Sequence, residues 1–153
     1  MRFAPTVAVF SLLLVACRVV GPAQDERDVR QAIDSLIAAD NRRDLEFVVQ
    51  SYCEDVELVP PSGDLARGRK AVRARYAALF ADWRPELRVE HRETRVDGAT
   101  ARDRGRTLGT LHATAGNAIK PVDDEYEAEL RLEGDRWRVA RLSWRPVTTV
   151  PGS

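Results

Sequence analysis

The sequence predicts an α+β domain in which three N-terminal helices pack on one face of a curved antiparallel sheet. Three observations carry that prediction. Apolar residues recur at spacings of three and four through 25–43, 44–51 and 68–83. Beyond Pro85 the period falls to two and stays there to the last tryptophan, Trp144. All the helical segments precede the long strands, an order that separates the α+β class from alternating βα folds.

The first helix, 25–43, places Val29, Ala32, Ile33, Leu36 and Ile37 on one stripe, with acids in its first turn and Arg42 and Arg43 in its last, as the helix dipole favours. Asp44 is placed to cap a short second helix that turns Leu45, Val48 and Val49 toward the same core as Tyr52. A short strand follows at 56–59, which Pro60 and Pro61 put at a sheet edge or terminate. The third helix, 68–83, carries Val72, Tyr76, Leu79, Phe80 and Trp83 on one stripe, and Pro85 is expected to close it. Strands 86–96 and 99–113 meet at Asp97-Gly98, a dipeptide suited to a tight hairpin. Pairing Val96 with Ala99 sets Glu93 opposite Arg102, Arg92 opposite Asp103 and His91 opposite Arg104. Apolar parity breaks along this hairpin, however, since Leu87, Val89 and Leu108 share one face while Ala101 and Leu111 share the other. A β-bulge would reconcile the two. A loop is expected over 115–124, then alternating Tyr126, Ala128, Leu130 and Leu132, a Gly134-Asp135 turn and a last strand over 136–144.

The chain of 153 residues balances 24 Lys plus Arg against 24 Asp plus Glu and is 44% apolar, which suits one globular domain with one sizeable core. Neutral charge argues against a nucleic-acid partner, which needs clustered cations. Near-average apolar content argues against disorder. The run 7–15 is apolar for only nine residues, too short for the ~20 that span a bilayer, and reads as the core of a secretion signal.

Leu14, Val15, Ala16 and Cys17 directly after that run resemble the lipobox of bacterial lipoproteins. The resemblance implies cleavage before Cys17, acylation of its thiol and an extracytoplasmic domain anchored to a membrane of the cell envelope. The alternative is an ordinary signal cut after Ala23, giving a secreted or periplasmic protein. The expected organisation is therefore a signal peptide over 1–16, a tether over 17–24, the domain over 25–146 and a tail over 147–153. With Cys17 acylated, Cys53 has no disulfide partner and reads as a small buried apolar residue.

The element order, together with Asp44-Leu45, Cys53-Glu54-Asp55-Val56, Pro60-Pro61-Ser62-Gly63, Gly68-Arg69 and Gly134-Asp135-Arg136-Trp137-Arg138-Val139 before Trp144, resembles nuclear transport factor 2-like domains, and among them the SnoaL-like domains. The resemblance covers about 25–145. It implies a cone-shaped α+β barrel, a strongly curved sheet wrapped around the helices with a cavity between them, and frequent dimerisation through the sheet. The same cone carries isomerases, cyclases, dehydratases and assembly modules, so fold alone says little about reaction. In the ketosteroid isomerase branch the resemblance puts the catalytic base at Pro60 and a donor tyrosine near Leu36; neither side chain can do that work.

What remains is a small, mainly apolar ligand in the cavity, a homodimer, or both, with no cofactor and no metal site implied. The pocket candidates are Tyr52, Tyr76, Phe80, Trp83 and Tyr126. Asp103 shares parity with Ala101 and Gly105; a buried carboxyl there is a candidate acid or base, and His91 is a second candidate for an isomerase-, cyclase- or dehydratase-type reaction. A third reading is a pure interaction module whose interior is filled by its own side chains.

Overall fold

The computed structural model describes residues 22–147. The expected signal peptide, Cys17 and the tail from 148 onward lie outside the described residues. The elements run α1 Pro22–Arg42, α2 Leu45–Gln50, β1 Tyr52–Val59, β2 Ala66–Arg67, α3 Gly68–Asp82, β3 Trp83–Asp97, β4 Thr100–Ala113, β5 Ile119–Glu133 and β6 Arg136–Pro146. They form an α+β fold, the class expected, with a six-stranded sheet in the order β2-β1-β6-β5-β4-β3. Every pairing is antiparallel except that of β1 with β6.

Helix α1 starts three residues earlier than its spacing indicates and buries Val29, Ile33, Leu36 and Ala39. It ends where Arg43 enters the left-handed region at φ 57, a position more often held by glycine, and the Arg43 guanidinium donates to the Phe80 carbonyl at 2.6 Å. Asp44 caps α2 by accepting from the Phe47 amide at 3.1 Å, as its side chain predicts.

Pro85 does not close α3. The helix passes straight into β3 at Trp83, and Pro85 sits within that strand opposite Leu111. This is tolerated because β3 is an edge strand, so the missing amide hydrogen breaks no ladder on its outer side. Pro60, by contrast, does end β1, and the outer edge beside it is the two-residue β2.

The β3–β4 hairpin corrects the expected register. Asp97 pairs with Thr100, so Gly98 and Ala99 form the turn, with Gly98 supplying the positive φ of 57. Val96 therefore faces Ala101, Thr94 faces Asp103 and Glu93 faces Arg104. A shift between His91 and Glu93 then leaves His91 opposite Gly105. The bulged residue is Arg92, whose guanidinium leaves Asp103 and reaches Glu125 at 3.1 Å. One extra residue reverses side-chain parity, so Leu87, Val89 and His91 before the bulge and Thr94 and Val96 after it share the concave face.

The core lies between α1, α3 and the concave face, built from Val29, Ile33, Tyr52, Val56, Val72 and Leu130 among others. The convex face is a lattice of ion pairs, including Arg104 with Glu127 at 2.6 Å and Arg145 with Glu125 at 2.8 Å. Cys53 is buried and, among the described residues, free.

Candidate functional site

The sheet curves away from α1 and α3 enough to leave a cavity of about 750 Å³, within the range of small-molecule sites. Ile33, Leu36 and Ile37 on α1, Tyr76 and Leu79 on α3, and Leu87 and Val89 on β3 give it an apolar wall. Tyr126 on β5 and Trp144 on β6 line it from the sheet.

Asp40 is the one deeply buried acid of that lining, 5% exposed, and its Oδ1 has no hydrogen-bond partner among the described residues. It falls on the same helical stripe as Val29, Ile33 and Leu36, which carries it inward. Burial raises its carboxyl pKa well above the usual range. Its place in the last turn of α1, where the helix dipole opposes negative charge, acts in the same sense. That shift favours the protonated form, in which Asp40 would be a hydrogen-bond donor on a largely apolar wall. Tyr76 lies on the same wall, its hydroxyl 2.8 Å from that of the fully buried Tyr52.

A second buried carboxyl has the opposite surroundings. Asp103 is fully buried on β4, where its carboxylate accepts from Tyr126 Oη at 2.5 Å, Thr94 Oγ1 at 2.7 Å and His91 Nδ1 at 2.8 Å. The other ring nitrogen of His91 donates to Asp34 of α1 at 3.1 Å, and Arg30 of α1 donates to Thr94 Oγ1 at 2.7 Å. Burial pushes the Asp103 pKa upward, but the hydrogen bonds from His91, Tyr126 and Thr94 outweigh it and hold the carboxyl below its ordinary value. The bond to Asp103, against some desolvation and with help from Asp34, raises the His91 pKa. A carboxylate at each ring nitrogen favours two N–H donors, and so the protonated imidazole.

Gly105 makes the cluster possible. A Cβ there would stand 2.2 Å from the Glu90 carbonyl oxygen and 2.9 Å from the Tyr126 ring, which must cross Gly105 to reach Asp103. The cluster thus ties α1 to β3, β4 and β5 and braces the wall that Tyr126 presents to the cavity.

The family model for the SnoaL-like domain matches residues 22–143. The chain belongs to the SnoaL-like family. No curated protein matches it. Among solved structures, this SnoaL-like domain is similar to a ketosteroid isomerase-like protein from Erwinia carotovora atroseptica, at 22% identity and a TM-score of 0.74 over 82% of this chain and 98% of that one. A Mycobacterium tuberculosis protein of unknown function is 27% identical with a TM-score of 0.67, over 85% of this chain and 78% of that one. A Streptomyces avermitilis protein of the nuclear transport factor 2-like family, provisionally assigned as a dehydratase, is 18% identical with a TM-score of 0.73, over 84% of this chain and 100% of that one. Its neighbours' names span isomerase and dehydratase, and the shared element is the cone.

The aromatic candidates separate within this SnoaL-like domain. Tyr76 and Tyr126 line the cavity; Tyr52 and Phe80 are core residues behind it, and Trp83 opens β3 without reaching the lining. Asp103 and His91 stand together behind Tyr126, outside the lining. Asp40 was not singled out from the sequence. The available signal was an acid standing eleven residues after Val29 on an apolar stripe that should have continued apolar.

Proposed function

We propose that this SnoaL-like domain binds a small, mainly apolar molecule in the cavity between α1, α3 and the concave sheet, with the protonated carboxyl of Asp40 as its buried polar contact. The observation that supports this reading most is a cavity of about 750 Å³ whose lining includes Asp40, a nearly buried acid with one oxygen lacking a partner among the described residues. A buried polar group without a partner costs roughly 1–3 kcal/mol, a cost that a ligand's carbonyl or hydroxyl would offset. Titration with the neutral fluorophore N-phenylnaphthylamine tests it. Emission is expected to rise saturably in wild type and not in Leu87→Trp, which places an indole in the chamber. Equal, unsaturable emission from both proteins would remove the ligand site.

A second reading, an isomerase-, cyclase- or dehydratase-type enzyme, draws on the same Asp40, because a carboxyl that keeps its proton in a dry chamber can give it to a substrate oxygen. On that reading Asp103 and His91 hold the Tyr126 wall in place. The ligand site is further proposed to sit at a membrane surface through acylated Cys17, which detergent partitioning of wild type against Cys17→Ser checks; equal partitioning excludes the anchor. A homodimer through the convex face completes the proposal. Because that face is built of exposed ion pairs, its dimer mass in native mass spectrometry should fall as salt rises.

A further inference from the structure

The charges around the cavity are not distributed as they are on the rest of the sheet. On the strands, arginine after arginine holds a carboxylate: Arg102 and Arg104 hold Glu127, Arg131 holds Asp55, Arg141 holds Glu57 and Arg145 holds Glu125. The two cations that line the cavity, Arg75 of α3 and Lys120 of β5, have no ion pair among the described residues. Both are exposed, so they stand at the rim, whereas Asp40 is buried within. The Arg75 guanidinium carbon lies over the Trp144 ring, 4.8 Å from its centroid, a cation–π contact that leaves the N–H donors available. Of the acids in the same lining, Asp123 pairs with Arg106 at 2.5 Å, and Asp124, whose carboxyl pKa burial raises, feels the opposing charge of Lys120. The wall between rim and Asp40 is hydrocarbon and aromatic.

We infer that the cavity takes amphipathic carboxylic acids, an apolar body inside the chamber with its carboxylate at the rim on the Arg75 guanidinium, and Lys120 as a second positive charge on the same lining. The inference rests on the reading of the cavity as a ligand site, not on the Asp40 contact, and adds the chemical class of the ligand. Desolvated hydrocarbon supplies most of the affinity, and the two cations select the charged end over a neutral one. A positive charge on the ligand meets Arg75 and Lys120 directly and is rejected.

Isothermal titration of the whole chain with dodecanoate, dodecanol and dodecylammonium, which share one hydrocarbon tail, tests this. Dodecanoate is expected to bind about tenfold more tightly than dodecanol, the difference that one charge-assisted contact supplies. Dodecylammonium is expected to bind more weakly than either. In Arg75→Gln/Lys120→Gln, both surface substitutions, dodecanoate should fall to the affinity of dodecanol while dodecanol itself is unchanged. Equal binding of acid and alcohol by wild type, or tighter binding of the amine, overturns the inference and leaves the ligand site standing. Binding of none of the three overturns both. The wild-type comparison needs no variant, so it decides even if the double variant is unstable.

Discussion

Asp40 and Asp103 are both buried acids, 5% and 0% exposed, yet the fold treats them in opposite ways. Asp103 accepts three side-chain hydrogen bonds, which lower its pKa; Asp40 has an oxygen without a partner among the described residues, and burial raises its pKa. Burial alone therefore does not decide ionisation. What decides it is whether the surrounding elements bring donors. β3 and β5 bring three donors to Asp103, whereas the apolar wall around Asp40 brings none. The saturated acid belongs to the scaffold; the unsaturated one, on the lining of the cavity, is the acid that the proposed ligand would meet.

Replacing each acid by leucine should separate the two most sharply. Asp103→Leu strands the His91 cation and the Tyr126 hydroxyl and is expected to cost about 4 kcal/mol in urea unfolding. Asp40→Leu removes an unpaired polar group and should leave stability unchanged or raise it by about 1 kcal/mol, while weakening ligand binding. Comparable losses from both would erase the distinction.

Gly105→Ala sharpens the scaffold side. Its new methyl meets the Glu90 backbone and the Tyr126 ring at once, so a loss of about 3 kcal/mol is expected, at the upper end of overpacking costs. A variant as stable as wild type would show that Tyr126 does not cross Gly105.

The smallest effects are those of pH. Asp103 has a lowered folded pKa, so its contribution is present above the unfolded carboxylate value near ~3.9 and fades as acid approaches the folded value. His91 has a raised folded pKa; its contribution is complete below the unfolded value near ~6.5 and is lost as pH rises through the folded one. Asp40 acts in the reverse sense to Asp103. Its proton is retained on folding and lost on unfolding, so stability declines as pH climbs from ~3.9 toward its raised folded value. His91→Gln should flatten the unfolding free energy across the alkaline limb, and Asp40→Asn across the mildly acidic one. An unaltered profile in either variant removes that residue from the titrating set.

Much of the fold was legible because its signals are periodic. Helical stripes, the Asp44 cap and the alternation of Tyr126, Ala128 and Leu130 each follow from residues a few positions apart. Pro85 misled because its tolerance depends on β3 lying at the sheet edge, which no local pattern records. The hairpin register was missed by two residues at the turn, since Asp97-Gly98 and Gly98-Ala99 both offer a positive φ at Gly98. The bulge at Arg92 was anticipated from broken parity, and it is what delivers His91 and Thr94 to the face that carries Asp103. Asp103 could be suspected from parity with Ala101, but its partners could not, because Asp34, His91 and Tyr126 meet only through tertiary packing. Asp40 escaped notice inside the polar run Asp40-Asn41-Arg42-Arg43-Asp44, where composition hides its position on the apolar stripe.

The most direct test is a carbon-13 NMR titration of the two side-chain carboxyls, assigned by Asp40→Asn and Asp103→Asn. At neutral pH Asp40 should show the shift of a carboxylic acid and Asp103 that of a carboxylate, with Asp103 gaining its proton only well into acid. An ionised Asp40 at neutral pH, or both acids titrating together near the ordinary carboxylate value, would contradict the division between ligand-facing and scaffold carboxyls.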